Sequence, residues 1–168
     1  MTVSMYALSV PVFVKTLGNL DAILDKSATY AQAKKIDPAV LLAARLFPDM
    51  FPLAKQVQVA CDFAKGAVAR LAGVEPPAFD DNERTFDELK ARIARTIEYV
   101  SGFDEARFAG AEEREVVLKI RERTLIFRGL PYLAHVALPN FFFHVVTAYD
   151  ILRHNGVELG KRDFIGQV

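Results

Sequence analysis

The most informative part of the chain is the segment of residues 139–166, which reads PNFFFHVVTAYDILRHNGVELGKRDFIG. Pro139 fixes φ at a first-turn position and Asn155-Gly156 can adopt a left-handed cap, so the segment predicts a helix between them. The interior of this helix leaves almost no polar face, which indicates that other elements surround it. Its apolar residues are Phe141, Phe142, Phe143, Val145, Val146, Ala148, Tyr149, Ile151 and Leu152.

Two earlier segments space their apolar residues by three and four, which indicates helices with one buried side. They cover residues 3–33 and 53–71. Pro11 lies in the first segment and predicts either a kink or a start near Ser9-Val10, because proline removes a helical hydrogen bond and clashes with the preceding turn. Between the two segments, an Asp-Pro pair predicts a short helix over residues 37–46.

A third long helix follows from the capping box Thr85–Glu88, in which the two side chains satisfy each other's free backbone amides. Beyond it, residues 115–120 and 124–128 are rich in β-branched and aromatic side chains, which predicts a short hairpin or a pair of extended arms. A linking segment of residues 129–135 then leads to the final helix. The pattern predicts an all-α four-helix bundle, a single domain over residues 1–168, with the hairpin or arm between the third and fourth bundle helices.

The composition is that of an ordinary globular protein. Hydrophobic residues make up 52% of the 168 residues, and 21 basic residues balance 21 acidic residues. A zero net charge gives no support to nucleic-acid or anionic-membrane partners, because both depend on excess positive charge. The single cysteine, Cys61, excludes an internal disulfide, and Lys15 and Asp21 interrupt the first apolar run too early for a membrane-spanning helix. These features predict a cytoplasmic protein.

Four stretches of the chain resemble one bacterial family. They are LFPDMFPLAKQVQ (residues 46–58), GVEPP (73–77), DNERTFDEL (81–89) and HVVTAYDILRHNG (144–156). The family is the domain of unknown function 1993, within the DinB/YfiT-like superfamily of predicted metalloenzymes. This resemblance implies a DinB-like four-helix bundle with up-down-down-up topology, often found as a dimer, and it brings no established activity.

The resemblance also implies a divalent-metal site. DinB-like proteins hold the ion with one histidine from the second bundle helix and a His-x-x-x-His pair on the last, since residues four apart share a helix face and imidazole suits zinc or nickel. Here Ala148 stands four residues after His144, and residues 53–71 contain no histidine. His154 lies about 15 Å further along the helix, which is too far for a shared ion. We therefore expect the three-histidine site to be lost and no cofactor to be bound. The alternative is a zinc or nickel ion that keeps His144 as a ligand.

His144 is the best candidate for a catalytic or binding residue, and three interpretations stay open, the last of which is simple surface exposure. In the first, it is a buried histidine that bonds to a neighbouring helix or to Thr147. In the second, it faces a polar pocket shared with the second bundle helix and acts as a residual metal ligand or a proton-transfer group. The predicted pocket residues are Gln56, Gln58, Asp62, His144, Thr147, Tyr149 and His154.

The end of the final helix carries a second polar group. Arg153 and His154 stand in the last turn, where cations meet the negative end of the helix dipole, and Asp150 is in position to pair with one of them. The alternative is that this group lines an opening together with Lys161 and Asp163.

Three further residues have ordinary roles in this interpretation. Asp49 is predicted to cap the helix of residues 53–71. Cys61 lies on a buried stripe and is predicted to be an unreactive small side chain. His135 has no partner at a metal-ligand spacing.

Two classes of function fit these features. The first is a non-catalytic protein that dimerises and binds a small apolar ligand in the bundle interior. The second is a divergent metal-dependent transferase or hydrolase that uses His144 with acid or amide ligands. The final helix has more apolar surface than a four-helix bundle covers. We therefore expect the uncovered surface to contact a second copy of the chain, unless the hairpin and tail cover it. The residues expected at that contact are Phe141, Phe142, Val145, Val146 and Tyr149.

Overall fold

The computed structural model describes residues 4–167 and shows a mostly helical protein with one small antiparallel sheet. Its elements in chain order are α1 (Val10–Lys34), α2 (Pro38–Ala43), α3 (Leu53–Leu71), α4 (Phe86–Ser101), a 3₁₀ turn (Glu105–Phe108), β1 (Glu115–Ile120), β2 (Arg123–Arg128), α5 (Gly129–Tyr132), a π-helical turn (Leu133–Ala137), α6 (Leu138–His154) and α7 (Lys161–Ile165). The mostly helical character and the small hairpin are both confirmed. Within residues 4–167, every helix is too short or too polar to span a bilayer.

The four long helices share one hydrophobic core. α3 packs against both α4 and α6, while α1 packs mainly against α4. α1 also reaches α6, where the rings of Phe13 and Phe141 meet edge-on with their centroids 4.8 Å apart. Burying a large aliphatic or aromatic side chain contributes about 1.5–3 kcal/mol, so this core holds the helices that carry the site. Its largest fully buried side chains are Tyr132, Phe13, Phe141, Leu17, Leu20, Ile23, Leu24, Leu53, Leu71, Leu89, Ile93 and Leu133.

Two predicted helix starts are confirmed. α1 begins at Val10 with Pro11 in its first turn, so the start near Ser9-Val10 holds and the alternative of a kink does not apply. α4 has the predicted capping box: the Thr85 hydroxyl accepts from the Glu88 N–H, and the Glu88 carboxylate accepts from the Thr85 N–H.

The connection between α2 and α3 differs from the prediction. α3 starts at Leu53 as expected, but Asp49 does not cap it. The N-cap is Pro52, whose side chain offers no hydrogen bond, and the Leu53 amide donates instead to the Ala44 carbonyl at 2.9 Å. α2 accordingly ends at Ala43, short of its predicted end, because the chain then turns to make this bond.

The predicted hairpin forms between β1 and β2. Glu115 pairs with Arg128 at its open end, and residues 121–122 form the turn. Arg121 has a φ of 54°, a left-handed value that tight hairpin turns require. β2 begins at Arg123, one residue before the predicted start, because this residue still pairs across the turn.

The prediction of a separate linking segment before the final helix is wrong. Residues 129–137 are already helical, so Pro139 lies inside a continuous helical stretch. A proline there removes one hydrogen bond and crowds the carbonyl four residues earlier. The π-helical turn Leu133–Ala137 widens the backbone just before Pro139, and the Asn140 side-chain amide donates to the Val136 carbonyl at 2.7 Å. These adjustments let the helix pass through the proline.

Gly129 joins the hairpin to the helical part. A Cβ at this position would stand 1.8 Å from the carbonyl oxygen of Ala111, so only glycine permits the approach. The next amide, that of Leu130, donates to the Glu112 carbonyl at 3.0 Å. The close contact sets where the hairpin leaves the helical core.

The C-terminal tail folds back along α1. The Asn19 amide donates to the Phe164 carbonyl at 2.9 Å, and Lys26 pairs with Asp163 at 2.6 Å. The ring of Phe164 also meets the ring of Tyr149 on α6, with centroids 6.3 Å apart. The tail therefore covers Tyr149, one of the residues expected at a dimer contact, from within the same chain.

Candidate functional site

The buried polar residues indicate where a site is located. Several of them bond within their own helix: the hydroxyls of Ser27, Thr96 and Thr147 each donate to the carbonyl four residues earlier. Two other groups of buried polar residues connect α3 to neighbouring parts of the chain. The His144 site consists of Gln56, Phe63, Phe143 and His144. The Arg92 network consists of Gln58, Asp62, Lys65, Asp81, Glu83 and Arg92.

The central bond of the His144 site joins α6 to α3. Nδ1 of His144 lies 2.7 Å from the side-chain oxygen of Gln56. The side-chain nitrogen of Gln56 donates to the Phe51 carbonyl at 3.0 Å, which fixes the orientation of the amide. Since an amide oxygen only accepts, Nδ1 must carry the proton, and Nε2 of the neutral ring has a free lone pair.

Two aromatic rings frame the imidazole. Phe63 stacks nearly parallel to it at 5.9 Å, and Phe143 meets it edge-on at 5.2 Å. Within residues 4–167, Arg92 Nε is the one buried side-chain nitrogen or oxygen without a hydrogen-bond partner. Nε2 of His144 also has no partner among the same residues, but it is not one of the buried atoms. It therefore reaches the surface, although His144 is only 8% exposed.

Burial keeps the His144 ring uncharged. Loss of contact with water disfavours the imidazolium form and holds the pKa of His144 below the ordinary histidine value. Burial is the one cause of this shift, so no charged side chain acts on the ring to a comparable degree. The ring is therefore a neutral hydrogen-bond acceptor at neutral pH.

The Arg92 network lies on the opposite side of α3 and is closed by its own partners. One guanidinium nitrogen, Nη1, bonds to the Asp80 carbonyl at 2.9 Å and to Glu83 at 3.0 Å. The other, Nη2, meets Asp62 at 2.9 Å and Asp81 at 3.0 Å. Arg92 is only 3% exposed, so these acceptors balance a charge that water cannot reach.

An aromatic ring completes this network. Phe79 lies beneath three cations, with Lys65 at 4.8 Å, Arg92 at 5.6 Å and Arg95 at 3.9 Å from its centroid. Lys65 also pairs with Asp62 at 2.9 Å. Together these contacts fasten the loop between α3 and α4 to both helices, which is a structural role.

Comparison with known proteins assigns the family. A family model described as Domain of unknown function (DUF1993) matches residues 5–165. The chain belongs to the DUF1993 family. A crystal structure of a DinB family member protein from Shewanella denitrificans is similar to this DUF1993 protein, with 46% sequence identity and a TM-score of 0.89. The similarity covers 98% of this chain and 93% of that one. No curated protein matches. The family resemblance and the likeness to a DinB protein are thus confirmed.

The donor atoms of this DUF1993 protein do not fit a three-histidine metal site. Ala148 stands one turn after His144, and α3 presents the Gln56 amide, not an imidazole, to Nδ1. In the part of the chain that the structure describes, no three His, Cys, Asp or Glu side chains lie close enough together to hold a metal ion. Within residues 4–167, His144 therefore belongs to no such cluster, and α3 offers it an amide in place of an imidazole ligand.

The structure brings together two of the seven predicted pocket residues, Gln56 and His144. The Gln58 amide donates to Glu83 at 2.9 Å, and Asp62 pairs with Arg92, so both belong to the Arg92 network. The three on α6 make other contacts: Thr147 bonds within the helix, Tyr149 packs on Phe164, and His154 is exposed.

The polar group at the end of α6 makes no ion pair among residues 4–167. Asp150, Arg153 and His154 are all exposed, and Asp163 pairs with Lys26 of α1 instead. The predicted pairing of Asp150 is therefore absent there, because the side chains of this last turn point into water.

Two further predictions concern single residues. Burial raises the pKa of Cys61 to about 12, so its thiol stays protonated and unreactive, as predicted. His135 is exposed on the π-helical turn.

The Arg92 network is the part of the structure that sequence reasoning missed. A signal for it was present, because Arg92 falls on the apolar stripe of α4 between Leu89 and Ile93. A charged residue at a core-facing position needs an opposite charge nearby, and the acidic stretch DDNE at residues 80–83 precedes the helix.

Proposed function

We propose that this DUF1993 protein is a non-catalytic binding protein of DinB type that has lost the three-histidine metal site. It is a four-helix bundle with up-down-down-up topology, it forms a homodimer, and it binds a small organic ligand at the His144 site. It works in the cytoplasm, where its single unpaired cysteine is stable as a thiol.

The observation that carries this proposal is the bond between His144 and Gln56. It uses the nitrogen of His144 that faces α3 and puts a neutral amide where a metal site needs an anionic or imidazole ligand. A fixed neutral acceptor with an accessible lone pair suits reversible binding.

The ligand position differs from the sequence prediction, which placed it in the bundle interior. Gln58 and Asp62 bond to Glu83 and Arg92, and the largest cavity among those described, about 1020 Å³, lies at the surface between α1 and the tail. Nε2 of His144 likewise points to the surface. The His144 site is therefore the better candidate position.

Self-association is supported by the apolar side chains of α6 that remain uncovered. Phe141 and Val145 are buried in the core, whereas Val146 is 39% exposed and Phe142, one turn before it, is half-buried. Phe51, which holds Gln56 by its carbonyl, is 51% exposed. A two-fold contact between such aromatic surfaces is a common homodimer arrangement.

The test is metal analysis and sedimentation equilibrium on one sample of protein purified without an affinity tag. We expect zinc and nickel far below one ion per chain, and a mass that rises above 18.7 kDa with concentration. As a matched pair for the dimer, Val146→Asp should shift the protein to monomer and Ile126→Asp, on the exposed face of the hairpin, should not. A monomer at all concentrations contradicts the self-association part alone.

The second candidate function is a divergent metal-dependent transferase or hydrolase. The observation that favours it is the free lone pair on Nε2, which could hold one ion with ligands from a substrate or water. A stoichiometric metal signal that disappears in His144→Ala would favour this enzyme and overturn the binding-protein proposal.

A further inference from the structure

The outward nitrogen of His144 restricts what a ligand can offer. Gln56 holds the proton on Nδ1, so Nε2 can only accept a hydrogen bond. A ligand that leaves this partly buried nitrogen without a donor loses the hydrogen bond that water makes there, which costs binding free energy. The ligand must therefore carry an N–H or O–H group.

The surroundings of the ring restrict the charge of that ligand. The imidazole contacts two aromatic side chains and a neutral amide, and burial is the one cause that shifts its pKa, so no charged group acts strongly on it. A carboxylate, phosphate or ammonium group would be partly desolvated there without an opposite charge, which is unfavourable. This excludes most metabolic acids and amines and leaves an uncharged donor.

The aromatic frame restricts the shape of the ligand. Phe143 stands edge-on to the imidazole and is more than half exposed, so its ring presents a flat apolar surface beside the His144 ring. Aromatic rings pack favourably in offset or edge-to-face arrangements with centroids about 4.5–7 Å apart. A flat ring that carries the donor fits this surface better than an aliphatic alcohol.

We propose that the His144 site binds a phenol, whose hydroxyl donates to Nε2 of His144 while its ring packs against Phe143. Gln56 is the positioning residue, because it sets the tautomer that makes Nε2 an acceptor. The inference rests on the proposed function as a metal-free binding protein and names the chemical class of its ligand.

The test compares a phenol with its methyl ether, in which a methyl group replaces the donor hydrogen. p-Cresol and 4-methylanisole have the same ring and methyl group, but the ether has no O–H. Titrations are followed by NMR through the ring signals of His144. We expect saturable shifts with p-cresol and roughly three- to tenfold weaker binding of the ether, the loss of one net hydrogen bond. Equal binding of the two probes, or no saturable shift with p-cresol, overturns the inference.

Variants test the role of Gln56 separately. The nitrogen chemical shifts of the His144 ring should report a proton on Nδ1 in the wild-type protein. Gln56→Met should abolish this preference and weaken p-cresol binding. Gln58→Met is the matched control on the other side of α3 and should leave the His144 signals unchanged. A proton on Nε2 in the wild-type ring overturns the assigned role.

Failure of this inference is distinguishable from failure of the proposed function. Metal content is measured on the same samples. Metal-free protein that binds both probes equally overturns the phenol site alone, whereas stoichiometric zinc or nickel bound through His144 overturns the binding-protein proposal as well.

Discussion

The Arg92 network and the His144 site both bury a basic side chain beside α3, on opposite sides of that helix. Arg92 meets acceptors from the loop before α4 and from Asp62, so four oxygens surround its two terminal nitrogens. His144 has one partner, Gln56, and its second nitrogen has none within residues 4–167. Burial of a basic group is thus no sign of function by itself. The informative feature is an accessible atom that the fold leaves without a partner.

The difference has a simple electrostatic origin. An arginine stays protonated at any ordinary pH, so its burial demands opposite charges. A histidine can become neutral when it is buried, and it then needs only one hydrogen bond to fix its orientation. The first arrangement stabilises a loop, and the second leaves a lone pair for a ligand.

The largest expected effect is the loss of the Arg92 charge. Arg92→Met removes the cation that neutralises Asp62, Asp81 and Glu83, and should lower the free energy of unfolding by about 3 kcal/mol, the lower end for breaking a buried pair because two partners are partly exposed. Urea denaturation measures the change. Arg95→Met is the matched control, since Arg95 is exposed above the same ring of Phe79. It should cost less than about 1 kcal/mol, and equal losses for the two variants would show that Arg92 is not the centre of the network.

An intermediate loss of stability is expected when a glutamine on either side of α3 is replaced by methionine. Gln58→Met removes a hydrogen bond to the charged Glu83 and should cost about 2 kcal/mol. Gln56→Met should cost about 1 kcal/mol, because His144 can move its proton to Nε2 and bond to water instead. Thermal and urea unfolding of the two variants check the order. A larger loss at Gln56 means that the His144 site is chiefly structural.

The smallest expected effect is on the pH dependence of stability, which differs between the His144 site and the Arg92 network. Desolvation lowers the folded-state pKa of His144. For Asp81, burial acts to raise the pKa, but the Lys55 hydrogen bond and the charges of Lys55 and Arg92 outweigh it and lower the pKa. In both cases the unfolded chain takes up the proton first as the pH falls, so stability is lost on acidification. The loss begins near pH ~6.5 for His144 and only near pH ~3.9 for Asp81, the unfolded values.

Unfolding free energies measured across this range check the two windows. His144→Phe should make the free energy of unfolding less dependent on pH just below neutrality and leave its fall at acid pH unchanged. Asp81→Asn should reduce the fall at acid pH and leave the dependence just below neutrality unchanged. If His144→Phe leaves the slope between about pH 7 and 5 unchanged, the folded-state pKa of His144 is not lowered.

Several features could be predicted from the sequence because they depend on neighbouring residues. The capping box at Thr85, the start of α1 beside Pro11 and the hairpin each follow from patterns a few residues long. The absence of a second histidine one turn after His144 was readable for the same reason, since the spacing of four belongs to a single helix. The π-helical turn before Pro139 was not, because the local rule for proline predicts a helix start.

The amino-acid sequence by itself determined the four long helices and the hairpin, which helix faces are apolar, and that the histidine spacing of a DinB metal site is missing. Tertiary packing decided which polar side chains meet. Gln56 and His144 are 88 positions apart, and Asp62 and Arg92 are 30 apart. The physical reason is that periodicity reports only how one helix divides between its buried and exposed sides. Which of two glutamines on α3 faces His144 depends on the rotation and register of α3 against α6, and these follow from the packing of the whole core.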